Sequence, residues 1–137
     1  RDSRMSKELI AVASPSAFDA VAIMNAFDGD VEFVRRLATL IGASVPRYMD
    51  EMREARGRGD WTSVARAAHS IRGSVGNAYA LRVDELSRAV EALARAGGPV
   101  DDSLMDEFVT EATTLLSEFV LWTEMLGDPS PSTDDQR

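Results

Sequence analysis

Between residues 16 and 126 apolar residues recur at spacings of three and four in segment after segment, and no stretch alternates with period two for long. That pattern belongs to helices that each bury one face, so the chain is expected to fold from helices alone. The first, about Ser16 to Phe27, opens after Ser14-Pro15, presents Phe18, Val21 and Ala22, and stops near Asp28-Gly29. The second runs from about Asp30 to Ala55, with Val34, Leu37, Ile41, Val45, Tyr48 and Met52 spaced like a bundle seam. Pro46 lies inside it; proline lacks a backbone donor and crowds the carbonyl four residues back, so a bend or break is expected between Gly42 and Pro46. Gly57-Arg-Gly59 makes a turn and Asp60 stands as N-cap to a third helix, Trp61 to about Ala78. The fourth, about Leu81 to Ala96, carries Leu86, Ala89, Val90 and Leu93 and ends at Gly97-Gly98-Pro99. The last, Ser103 to Leu126, is capped by Asp102 or Ser103 and repeats Leu104, Phe108, Leu115, Phe119, Trp122 and Leu126. Short connections favour antiparallel neighbours. The expected fold is all-α: an up-and-down four-helix bundle with an additional short N-terminal helix.

A chain of 137 residues with 45% hydrophobic content is enough for one core and too short for two ordinary domains. Residues 1–15 read as a tail or linker, since the apolar run Leu9 to Ala13 is shorter than the roughly 7 to 15 residues of a signal peptide core. Residues 127–137, rich in Pro, Ser and Asp, read as a disordered tail. The absence of cysteine excludes disulfides and thiolate chemistry and fits a reducing cytoplasm. A net charge of −8 argues against nucleic-acid or anionic-membrane partners, which need clustered Lys and Arg. No apolar run approaches the roughly 20 residues that cross a bilayer.

The chemistry concentrates on the third helix. Placed on a wheel at about 100° per residue with the one histidine, His69, at zero, Val64, Ala67, Ala68, Ile71, Val75 and Ala78 fall on the opposite, core-facing side. Around His69, within about 60° on either side, lie Thr62, Ala65, Arg66, Arg72, Gly73 and Gly76. The histidine is therefore expected to be exposed among small or cationic neighbours. Gly73 and Gly76 each cost about 1 kcal/mol of helix stability relative to alanine, and they would let another backbone approach the imidazole closely. Arg66 and Arg72 supply positive charge of the kind that stabilises a phosphoryl group in transfer. An imidazole is largely neutral near pH 7 and so is a competent nucleophile.

Blander readings stand beside this one. A lone histidine on a helix is more often solvated or packed than reactive, and Arg66 and Arg72 could be plain surface charges. Zinc is disfavoured because there is no second histidine and no cysteine, and a Ser-His-Asp hydrolase because no strand-to-helix elbow is present. The pairs Asp50-Glu51, Asp84-Glu85, Asp101-Asp102 and Asp106-Glu107 read as solvated faces and caps, and the Met residues and Trp122 as core.

The stretch His69-Ser-Ile-Arg-Gly-Ser74 resembles the phosphorylation motif of histidine-containing phosphotransfer (HPt) domains, written His-x-Leu-Lys-Gly-Ser or Ala. The likeness extends to Gly59-Asp-Trp61, Ala67-Ala68-His69 and Phe27-Asp-Gly-Asp-Val-Glu-Phe33 upstream, and to Asn77, Ala80 and Val90-Glu91 downstream. It covers roughly Phe18 to Gly97. Arg72 stands where lysine is usual, which keeps the charge but replaces a compact ammonium by a planar fork. Tyr79 stands where glycine is common.

The resemblance implies a helical bundle without an ATP site that exchanges phosphate reversibly with receiver-domain aspartates. By position, His69 is the phospho-acceptor, Arg72 stabilises charge and Gly73 clears space, while Arg66, Thr62, Ser70, Gly76 and Asn77 are docking candidates. The chain needs no metal or cofactor of its own; Mg²⁺ is expected in the partner receiver. Partners are response-regulator receivers or a hybrid sensor histidine kinase, and the simpler state is a monomer, free in the cytoplasm or tethered to the inner membrane through a parent kinase. Two alternatives remain: the acceptor domain of a chemotaxis-type kinase charged from ATP by a kinase domain elsewhere, and a helical docking module in which His69 is idle.

Overall fold

The computed structural model describes residues 17–126. The expectations for residues 1–15 and 127–137 lie outside the described residues. Among the described residues five α-helices and one 3₁₀ turn follow in order: α1 Ala20–Ala26, α2 Val31–Gly57, α3 Trp61–Val75, the 3₁₀ turn Gly76–Ala78, α4 Leu81–Arg95 and α5 Asp102–Leu126. No strand occurs among the described residues. Three helices are capped at the N-terminus by an aspartate side chain. Asp19 accepts a hydrogen bond from Ala22 N at 3.0 Å, Asp30 from Phe33 N at 3.0 Å and Asp60 from Ser63 N at 3.1 Å. Each satisfies a backbone donor that the first helical turn leaves without a partner.

α3 packs on α2 and on α4, and α5 closes the square against those same two helices. Connections of a few residues make consecutive helices run in opposite directions, so the architecture is the expected bundle with α1 as a short addition. Val34, Ile41 and Val45 of α2, Val64, Ile71 and Val75 of α3, Val83 and Val90 of α4, and Phe108, Leu115 and Phe119 of α5 fill its centre. Phe18, Phe119 and Trp122 close one end, with ring centroids 5.1–6.0 Å apart.

Several expectations are corrected. The break expected near Pro46 does not occur, and α2 stays helical through it. The proline costs about 3 kcal/mol, but Ile41, Val45, Met49 and Met52 are buried on either side of it. At about 1.5–3 kcal/mol for each such side chain, packing outweighs the lost hydrogen bond. α1 is shorter than expected and buries Ala20 and Ile23, leaving Val21 half exposed; Phe18 packs from the segment before the helix. α5 begins at Asp102 itself. In α4 the seam is Val83, Leu86, Val90 and Ala94, and Leu93 faces out. Met125 is also exposed. Ala65 is buried, because α3 is flanked on both sides and its covered arc is wider than that of a helix lying on a single neighbour.

The third helix ends earlier than its apolar pattern suggests. After Val75 the backbone tightens into the 3₁₀ turn, and Tyr79 then adopts φ 52° and ψ 48°. This is the left-handed region, which costs a non-glycine residue about 1–2 kcal/mol. The conformation explains why glycine suits this position in the family that the motif resembles.

Candidate functional site

His69 lies mid-way along α3, anchored from below by Ala67, Ala68 and Ile71 in the core. Its side chain is 59% exposed. On the flank toward α4, His69 Nδ1 lies 3.2 Å from Glu91 Oε2 and 3.4 Å from Oε1. Arg72, one turn on, donates from Nη2 to Glu91 Oε1 at 2.8 Å, and the same nitrogen lies 3.1 Å from His69 Nδ1. From α4, Arg95 donates to Glu91 Oε2 through Nε at 3.0 Å and Nη2 at 2.6 Å. His69 Nε2 makes no hydrogen bond among the described residues. One ring nitrogen is thus held and the other is open.

Glu91 is the centre of the cluster, with a side chain only 10% exposed. Burial pushes its carboxyl pKa up, but hydrogen bonds from Arg72, Arg95 and His69 outweigh that and hold it at about 2. It is therefore ionised at neutral pH.

The other predicted residues are distributed around this centre. Thr62, Arg66, Gly73, Gly76 and Asn77 are exposed, and Ser70 is half-buried. Arg66 and Ser70 line a groove between α2 and α3, with Tyr48, Glu51 and Ser63. Arg66 makes no ion pair among the described residues, whereas Arg72 is committed to Glu91 on the opposite flank. The two arginines expected to act together are therefore not brought together. A Cβ added at Gly73 or Gly76 would meet nothing within 4 Å. The fold itself has no steric need for glycine at either place.

Glu91 and Arg95 are the residues that sequence reasoning missed as members of the site. A signal existed: Glu91 sits one residue off the apolar seam of α4 and is followed at four residues by Arg95, the spacing of a paired acid at the margin of a buried face. Among the described residues there is no group of three or more His, Asp or Glu side chains suited to a metal ion, and no helix is long and apolar enough to cross a membrane.

The fold is similar to that of histidine-containing phosphotransfer protein B from Pseudomonas aeruginosa PAO1. The TM-score is 0.74 at 16% identity, over 84% of this chain and all of that one. No curated protein sequence matches the chain. The profile of the Hpt domain matches residues 28–125, which takes in α2 to α5 and the whole cluster around His69. The chain belongs to the Hpt domain family, whose members are phosphocarriers of phosphorelays and not kinases.

Proposed function

We propose that His69 accepts a phosphoryl group from the aspartyl phosphate of a receiver domain and passes it reversibly to the aspartate of another. The observation that carries this reading is the division of the imidazole: Nδ1 against a buried, ionised carboxylate, Nε2 in the open. A carboxylate only accepts hydrogen bonds, so it favours the tautomer with the proton on Nδ1. Two neighbours compete for this nitrogen, Arg72 Nη2 as a donor at 3.1 Å and Glu91 as an acceptor with both oxygens at 3.2 and 3.4 Å, and the charged acceptor prevails. The lone pair then belongs to Nε2.

In the transfer, the Nε2 lone pair attacks phosphorus as the bond from phosphorus to the aspartyl oxygen breaks, and the aspartate leaves as carboxylate. No proton has to move. The ring keeps its Nδ1 hydrogen and becomes a cation, which Glu91 stabilises across the 3.2 Å contact. A phosphorylated cationic ring is a good leaving group, so the same geometry serves the return step. Gly73 and Gly76 leave room for the receiver backbone, and Thr62, Ser70, Asn77 and Arg66 form the rim of the contact. The receiver supplies Mg²⁺, which balances the charge of its own aspartyl phosphate. Repeated exchange requires a weak, transient contact.

The test is transfer from a panel of phosphorylated receiver domains to the wild type and to His69→Gln. Acid-labile, alkali-stable label on the wild type alone supports the reading. If no receiver labels the chain but a kinase domain with ATP does, His69 is the acceptor of a chemotaxis-type kinase; failure of both leaves a docking module.

A further inference from the structure

Glu91 is one carboxylate faced by two guanidinium groups, which divide its oxygens. Arg72 takes Oε1 and Arg95 takes Oε2, the latter with two of its nitrogens. One cation would neutralise the acid, so Glu91, Arg72 and Arg95 together carry an excess positive charge before any phosphate arrives. The two arginines differ in how fully they are engaged. Arg95 is 62% exposed and makes its ion pair and hydrogen bonds with Glu91 alone. Arg72 is mostly covered, its Nη2 donates to Glu91 and lies beside the imidazole, and its Nε is buried without a hydrogen-bond partner.

We propose that Arg95 is a positioning residue for phosphoryl transfer: by holding the Glu91 carboxylate on its own, it frees Arg72 to exchange Oε1 for the oxygens of the phosphoryl group on His69. This rests on His69 being the acceptor. Moving Arg72 away from Glu91 without Arg95 would leave the buried carboxylate with no guanidinium and only the ring cation of the phosphorylated His69, on which the phosphoryl group also draws, and this is unfavourable. With Arg95 in place the acid stays paired throughout. The idle Nε of Arg72 is then an advantage, because a phosphoryl group can accept from Nε and Nη2 at once, the two-pronged contact for which guanidinium is suited. The incoming group brings about two negative charges, and the cluster already holds one positive charge in excess to meet them.

The experiment labels the full chain with phosphoramidate, a small donor that needs no partner; its P–N bond breaks as phosphorus bonds to His69, and ammonia leaves. Arg95→Gln is expected to slow labelling about tenfold, and Arg95→Lys to recover most of the rate. In an Arg72→Gln background, Arg95→Gln is expected to add nothing, since it acts through Arg72. In wild type, phosphorylation should shift the Arg72 Nε–H resonance; in Arg95→Gln it should not. Unchanged labelling in Arg95→Gln overturns the inference. Equal slowing in both backgrounds also overturns it, because Arg95 would then act as a distant charge. Circular dichroism melts verify that the exposed substitution leaves the fold intact. A wild type that neither phosphoramidate nor any receiver labels at His69 instead removes the reading on which the inference rests.

Discussion

Replacing Glu91 by glutamine keeps the shape of the side chain and removes the charge to which three donors point. The consequence for stability follows from the acidity of the carboxyl, held at about 2 in the fold against an ordinary 4.5. A depressed folded-state pKa means stability that is fully present above about pH 5 and is lost as pH falls through 4.5 toward 2. At about 1.4 kcal/mol for each tenfold change in acidity, ionised Glu91 contributes about 3 kcal/mol at neutral pH. Glu91→Gln forfeits this, keeps one acceptor oxygen for two arginines and turns an NH2 group toward the other donor. For a body of this size the melting temperature should fall by about 10–20 °C. Urea unfolding of both proteins at pH 7 and pH 3 tests the cause. The difference between them should be about 3 kcal/mol at pH 7 and roughly half that at pH 3, where the wild-type carboxyl has begun to lose its advantage. A difference that does not change with pH, or a variant as stable as wild type at pH 7, would refute the assignment of Glu91 as the buried anion of the site.

Gly73→Ala should raise stability by about 1 kcal/mol, since the added Cβ meets nothing in the fold; it should nevertheless slow transfer from receiver domains while leaving labelling by phosphoramidate unchanged, as urea melts and paired rate measurements will report. Gly98→Ala should do the reverse. Its Cβ would lie 2.5–2.7 Å from the Trp61 ring at a φ of +60°, so chemical denaturation should show a loss of about 3 kcal/mol, with the phosphorylation chemistry of the folded fraction intact.

The helices were legible because their apolar spacing is set by the geometry of burial, and the turns because Asp28-Gly29, Gly57-Arg-Gly59 and Gly97-Gly98 carry the residues that left-handed backbone demands. Which face each helix buries was less legible where neighbours lie on both sides: Ala65 disappears under a second helix, and Leu93 falls just outside the seam of α4. That α2 does not break at Pro46 is not legible locally, because propensity is weighed there against tertiary packing, which a window of sequence does not contain. On α3 the exposed position of His69 followed from its angle opposite Ile71 and Val75. Its partner did not, since Glu91 is 22 residues away and meets the imidazole only once α4 is laid beside α3. The same holds for Arg72, whose angle on the wheel places it beside His69 but does not tell that Glu91 claims it.

The most direct measurement identifies the nitrogen that carries phosphorus. The chain is labelled by a receiver domain or by phosphoramidate, and the imidazole of His69 is followed by long-range proton–nitrogen and phosphorus NMR. Phosphorus bonded to Nε2, with the hydrogen retained on Nδ1 and a histidine-free silence in His69→Gln, is the predicted result. Phosphorus on Nδ1, or on any residue other than His69, would contradict a mechanism in which Glu91 holds one nitrogen so that the other can react.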